Sequence, residues 1–482
     1  MSIFTASIIY SEMKRRQFLQ QSSFAALASS IFAPAELLAS GKENEAVKWD
    51  GTTARNIIFL VSDGMSIGTL SMANMLLHRK EGRSSSWMAL YEQGKAKRGL
   101  MDTASADNLV TDSAAGSSAW GGGVRVPNGM LNVNADGSFN TPILQKFKAA
   151  GKATGCVTSV PITHATPAGF CVNNSSRSSQ PEIAEQYLGL RFDVMMGGGT
   201  EFFSAETRKD KQDLFAKYAQ AGFSVARTKQ EMLNAAASQP LMAVFHEDAI
   251  PYALDHANDT GLQATIPTLA EMTKTAIERL NKNKKGFVLQ VEGGKVDWGA
   301  HSNDLGGLIY DQVAFDEAIQ VAVDFAEKDK NTLIIITTDH GNANPGIFGG
   351  SKENKKFDSI QQFKHTNDWI LKGINKDFTA AQVRERVEAA LGIAIKPEEA
   401  HSLLGHYVHP DGEGLYNKAK LPFRELGELL SGYTTVHWAS MDHSADHVEL
   451  TMLGPGSQML KPFMLNTELH NLMLEATGVK KA

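Results

Sequence analysis

Cysteine is almost absent from these 482 residues, which contain only Cys156 and Cys171. That excludes a disulfide framework and a cysteine-ligated zinc site, and leaves either one bridge or two buried thiols. An excess of positive charge is missing too. Lysine and arginine number 47 against 53 acidic residues, a formal net charge of −6, so there is no general basic footprint for nucleic acid. Any attraction of an anionic ligand must therefore be local to a site. No apolar run reaches the length that spans a bilayer. What is present is an ordinary globular composition, 42% hydrophobic and 21% charged. The length suits one large α/β domain with insertions, or two domains.

The N-terminus carries an address. Lys14-Arg15-Arg16-Gln17-Phe18-Leu19 is a twin-arginine start, and the small-residue run Ser22 to Ala33 follows it. Ala33-Pro34-Ala35 supplies a small-x-small cleavage site. Residues 1–40 read as a twin-arginine signal peptide, with Met13 as a second candidate start, and 41–482 as the mature domain. The expectation is export by the twin-arginine machinery, as a folded protein, to a periplasmic or extracellular location.

The rest alternates β and α. Asn56 to Ser62, Ala153 to Val160, Gly286 to Val291 and Thr332 to Thr338 are continuous apolar runs, as strands buried on both faces require, and Phe192 to Met196 is a shorter fifth. Helical patterns lie between them, at Pro142 to Ala150 closed by Gly151 and at Pro267 to Asn283. This predicts a mostly parallel central sheet with helices on both faces. Residues 345–432 differ in style and read as an insertion beside the active face, with one amphipathic helix over Thr379 to Leu391 closed by Gly392. A last strand, His447 to Leu453, returns to the core.

Asp63, Glu292 and Asp339 each end a buried strand, and ligands of open α/β sheets bind at that edge. One such acid is commonly a helix N-cap, but three flanked by glycine or histidine are not explained that way. Carboxylates gathered at one edge repel unless cations join them. Asp297 and His301 stand four residues apart, Asp339-His340 pairs the same donor types, and His443 lies further on. Oxygen and imidazole donors without thiolate suit a catalytic zinc site. Thr111-Asp112-Ser113-Ala114-Ala115 fits a serine opening a tightly packed helix, where free N–H groups favour an anion. Alone, that segment is an ordinary N-cap signature.

Together these segments resemble the alkaline phosphatase family. The motifs run in the family's order: Asp63-Gly64, Thr111 to Ala115, Ala165-Thr166-Pro167, Val291 to Asp297, Thr338 to Gly341, and His443 to Asp446. The resemblance covers roughly 55–345 and 435–456. It implies a phosphomonoesterase that hydrolyses small phosphate monoesters through a phosphoserine on Ser113. It also implies two zinc ions, one held by Asp297, His301 and His443 and one by Asp63, Asp339 and His340. A third ion, usually magnesium, would take Asp63, Thr166 and Glu292. Arg177, eleven residues after Thr166 as in the family, would grip phosphate oxygens bidentately. A homodimer is left open.

Two positions depart from the best-known bacterial pattern. His164 stands where an acid often precedes Ala-Thr-Pro, and Trp298 follows Asp297 where lysine or histidine is common. Both bear on whether the third site prefers magnesium. His447 is an alternative to His443, which is preferred because Val448 then falls on the family's strand valine. Rival functions are a superfamily relative acting on phosphodiesters, phosphonates or sulfate esters, and a non-catalytic metal-binding envelope protein. Ser113 and Arg177 argue against the second, since a structural metal site needs neither.

Overall fold

The run Asn56–Val61 shows how the sequence makes its sheet. All six residues are buried, with Ile58 and Leu60 facing one side and Ile57, Phe59 and Val61 the other. Each such side chain contributes about 1.5–3 kcal/mol by leaving water, so a strand apolar on both faces settles only in the middle of a sandwich. The computed structural model describes residue 49 and residues 51–350, 352–408 and 421–480. The expected leader, residues 1–40, lies outside the described residues.

Ten strands form the main sheet: β1 Asn56–Val61, β2 Lys97–Met101, β3 Ala153–Pro161, β4 Val194–Gly198, β5 Ser224–Ala226, β6 Leu241–Val244, β7 Phe287–Glu292, β8 Thr332–Thr337, β9 Val448–Leu453 and β10 Phe463–Met464. Their order is β10-β2-β9-β8-β1-β7-β3-β4-β6-β5. Seven strands from β8 to β5 are parallel, and β9 is antiparallel to both its neighbours, β8 and β2. The expected α/β sheet is therefore present, and each of the six strands read from the sequence belongs to it. Strands β2, β5, β6 and β10 were not read. In β2 the burial alternates and two of its five residues are lysine and arginine, so the continuous-run signal is lost.

Helices cover both faces. The long helix Leu305–Asp329, with Leu269–Leu280 and Ile67–Glu81, packs on one; Ser113–Gly122, Ile143–Ala149, Ala165–Cys171 and Glu468–Ala476 pack on the other. Residues 345–432 add helices Glu353–Asp358, Asn367–Lys372, Ala380–Leu391, Pro397–Val408 and Phe423–Thr434, and no strand of the main sheet among their described residues. Thr379 caps the third of these through a capping box, and left-handed Gly392 closes it. Cys156 and Cys171 are free, fully buried thiols with sulfurs 3.7 Å apart, the second of the two readings. No helix among the described residues is long and apolar enough to cross a membrane.

Candidate metal centre and nucleophile

Register puts the acids side by side. Val61 of β1 pairs with Glu292 of β7 and with Thr337 of β8, so Asp63, Glu292 and Asp339 leave the same sheet edge. All three are buried, at 0%, 0% and 1% exposure. Thr158 of β3, opposite Glu292, donates to Glu292 Oε2 at 2.5 Å, while Oε1 has no partner. Asp339 Oδ1 accepts from the Gly64 and His340 amides, both at 3.1 Å, while its Oδ2 accepts no hydrogen bond and lies 3.2 Å from His340 Nε2. Buried carboxylate oxygens without donors are costly, and a cation is the simplest group that satisfies them.

Helix Lys295–His301 brings Asp297 and His301 onto one face, with His301 Nε2 3.5 Å from Asp297 Oδ2. His443 arrives by another route: Gly341–Asn342 pairs antiparallel with His443–Ser444, and His443 sits opposite Asn342. That bridge stacks the His443 ring on His340, centroids 3.6 Å apart, and places His443 Nε2 3.5 Å from Asp297 Oδ1. His301 Nδ1 hydrogen-bonds the Met441 carbonyl at 2.6 Å, and His443 Nδ1 the Thr111 carbonyl at 2.9 Å. A carbonyl only accepts, so both Nδ1 atoms carry protons, and the two Nε2 atoms face each other at 2.9 Å. Two imidazole lone pairs aimed at one point are the arrangement of paired metal ligands. His447 is exposed, packs its ring against Phe463 and belongs to none of the clusters.

Gly64 is required twice here. Its φ is +65°, and a Cβ on it would lie 2.4 Å from Asp297 Oδ1. Asn342 Nδ2 donates to the same oxygen at 2.7 Å, so Asp297 is wedged in place.

Ser113 is the first residue of helix Ser113–Gly122, with Asp112 as N-cap accepting from Ala115 N at 2.9 Å. Ser113 Oγ lies 3.4 Å from Asp63 Oδ1 and 3.3 Å from His340 Nε2. Helix Ala165–Cys171 packs so closely on this helix that a Cβ on Gly169 would overlap Ser117 Oγ, and it sets Thr166 Oγ1 3.4 Å from Asp63 Oδ2. Arg177 donates to Asp112 Oδ2 and to His164 Nε2, at 3.0 and 3.1 Å. A guanidinium only donates, so in a neutral ring the His164 proton sits on Nδ1, 3.9 Å from the unpartnered Glu292 Oε1. Trp298 meets His164 edge-on at 6.3 Å. Three groups of potential ligands emerge: Asp297, His340 and His443; Asp63, Asp339 and His340; Asp63, His164 and Glu292.

Charge follows the geometry. Burial, then the carboxylates of Asp339, Asp297 and Glu292, push the Asp63 carboxyl well above its usual range. Burial also works to raise Asp297 and Asp339, but neighbouring imidazoles outweigh it: His301, His443 and His340 hold Asp297 well down, and His340 lowers Asp339. Burial opposes protonation of His443, yet Asp297 raises it to about 9. Such a set holds protons only until metal ions replace them.

Sequence reasoning did not assign roles to Asp112, Thr158 or Asn342, which position Arg177, Glu292 and Asp297. Asp112 lies within one quoted motif and Asn342 adjoins another; Thr158 carries no signal beyond lying in a strand.

A model of the alkaline phosphatase family matches residues 54–479. The chain is similar to alkaline phosphatase 4 of Bacillus subtilis (strain 168), 31% identical over 475 residues, with 97% of this chain and 98% of that protein covered. It is also similar to the alkaline phosphatase of Escherichia coli (strain K12), 31% identical, covering 73% and 83%. The crystal structure of Thermus thermophilus alkaline phosphatase superposes with a TM-score of 0.82 at 31% identity, covering 92% of this chain and 96% of that one. Fold, clustered metal-binding side chains and relatives agree: the chain belongs to the alkaline phosphatase family of phosphate-monoester hydrolases.

Proposed function

We propose that Ser113 is the nucleophile and that phosphate monoesters are hydrolysed through a phosphoserine at this position. The observation that carries this is the placement of Ser113 Oγ at a helix start, within 3.4 Å of both Asp63 and His340. The donor sets fit the ions the family uses. Asp297, His301 and His443 would hold one zinc, and Asp63, Asp339 and His340 a second. The oxygen-rich group Asp63, Thr166 and Glu292 suits a third ion, magnesium, with His164 beside it. Such ions make an oxygen nucleophile available at neutral pH and offset charge on the phosphoryl and leaving oxygens.

The chain's own residues then divide the work. Ser113 Oγ attacks phosphorus in line, the ester oxygen leaves with a proton as the alcohol, and the phosphoryl group stays on Ser113. Arg177, held beside Ser113 by Asp112 and His164, turns its two N–H groups to the equatorial oxygens, where negative charge is spread. Water then cleaves the phosphoserine and restores the hydroxyl. Turnover of an aryl phosphate, with and without chelator, tests this reading. Activity insensitive to verified metal removal would end it.

The location follows from the leader rather than the site: residues 1–40 direct twin-arginine export. Fusing them to a reporter in a strain lacking the twin-arginine translocase checks the route, and undiminished export there would refute it.

A further inference from the structure

A cavity of about 460 Å³ opens beside the metal cluster, on the His301 side. Trp298 and His301 of the metal-bearing helix form one wall, Asp248 and Tyr252 after β6 another, and Asp368 and Phe423 of the 345–432 region a third. It is continuous with the chemistry, since His301 Nε2 lies 2.9 Å from His443 Nε2. Its volume is within the roughly 300–1,000 Å³ of small-molecule clefts.

Lys295 points into this space. The residue is only 7% exposed and lines the cavity. Its ammonium lies 3.4 Å from the centre of the Tyr252 ring and 4.9 Å from that of Trp298. Its backbone N–H donates to Ser159 Oγ, but among the described residues no oxygen accepts from its Nζ. With its protein neighbours here being ring faces, the ammonium has N–H donors left to offer to a molecule in the cavity. The half-exposed Asp248 carboxylate, on the same cavity, likewise accepts no hydrogen bond from a described residue.

The cavity thus offers an unpaired donor, an unpaired acceptor and a half-exposed indole. A ring bearing hydroxyls uses all three: its oxygens accept from Lys295, its O–H groups donate to Asp248, and its C–H face covers Trp298. A simple alkyl or aryl group would leave both polar residues unpaired, and an anionic group would meet the unpaired Asp248, whereas Asp368 is already paired with Lys372. We propose that this cavity is the leaving-group subsite, built for the sugar or polyol part of a phosphate monoester, with Lys295 and Asp248 as the residues that set that preference. The proposal rests on the phosphomonoesterase reading of the adjoining site.

The test compares kcat/KM for glucose 6-phosphate and methyl phosphate in the metal-loaded parent, Lys295→Met and Asp248→Ala. The ratio of sugar to methyl ester should fall about tenfold in Lys295→Met, chiefly through KM, as expected for one lost hydrogen bond to a charged group. It should fall in Asp248→Ala as well. An unmoved ratio in both variants overturns the subsite. So does an equal loss on both esters in Lys295→Met with no change of ratio in Asp248→Ala, which would place Lys295 in the metal frame instead. A parent that turns over neither ester refutes the phosphomonoesterase reading itself, a different failure from an unmoved ratio.

Discussion

Gly64→Ala is the sharpest structural perturbation of the metal frame. At φ +65° an alanine costs about 1–2 kcal/mol in the backbone alone. Its methyl would also lie 2.4 Å from Asp297 Oδ1, 2.9 Å from Asp297 Cβ and 3.0 Å from Asp297 Cα, so backbone as well as side chain must yield. Asp297 is 5% exposed, tied to Asn342 and set between His301 and His443, and a shift of even half an ångström spoils a metal–oxygen bond whose tolerance is about 0.2 Å. Zinc affinity and turnover should therefore fall about 10- to 100-fold, with part of the turnover recovered in excess zinc. Gly82→Ala is the control: its φ is +69°, but nothing lies within 4 Å of the added carbon, so it carries the backbone cost without touching the site. Zinc titration with aryl-phosphate turnover separates the two. Equal behaviour of both variants would show that Asp297 holds no catalytically needed ion.

Three further outcomes follow from the same buried charges. Chelation should lower the melting temperature together with activity, because four buried carboxylates lose the cations that offset their repulsion; an unchanged melting temperature after verified zinc removal contradicts the shared edge. His164→Asp should tighten magnesium binding, since it replaces an Nδ1–H donor facing Glu292 Oε1 with an oxygen ligand, and equal affinities in a magnesium titration of metal-depleted parent and variant would show that His164 has no bearing on the third site. Burial raises the Asp311 carboxyl to about 7 although Lys295 and the Ala253 amide oppose it, so the folded chain holds a proton there that the unfolded chain releases near pH 4. Stability from this group is present at low pH and lost as pH rises towards 7; Asp311→Asn should therefore stabilise by about 1–3 kcal/mol at pH 8 and by much less at pH 5, and a pH-independent difference in denaturant melts would refute that assignment.

The sheet and its loaded edge were legible because parallel strands buried on both faces leave continuous apolar runs, and the acids stand just where those runs stop. Asp63, Glu292 and Asp339 needed no structure to be suspected. What brings His443 to Asp297 was not legible: a two-residue bridge between Gly341–Asn342 and His443–Ser444 has no periodicity to read. Nor was the hold of Asp112 on Arg177, a contact across 65 residues, although both had been noticed separately. His164 read as a possible ion ligand, and only its contact with Arg177 shows which nitrogen carries the proton. Lys295 passed as one residue of the Val291 to Asp297 motif, because a cation between two rings depends on where Tyr252 and Trp298 meet.

The central claim is that phosphorus passes through Ser113. Incubating the metal-loaded enzyme with inorganic phosphate at mildly acidic pH, where hydrolysis of the intermediate slows, and mapping the phosphorylated peptide addresses it directly. The account predicts one modified residue, Ser113, and no label in a folded Ser113→Ala protein whose turnover has collapsed. Phosphate on another residue, or near-parental turnover in that variant, would contradict it.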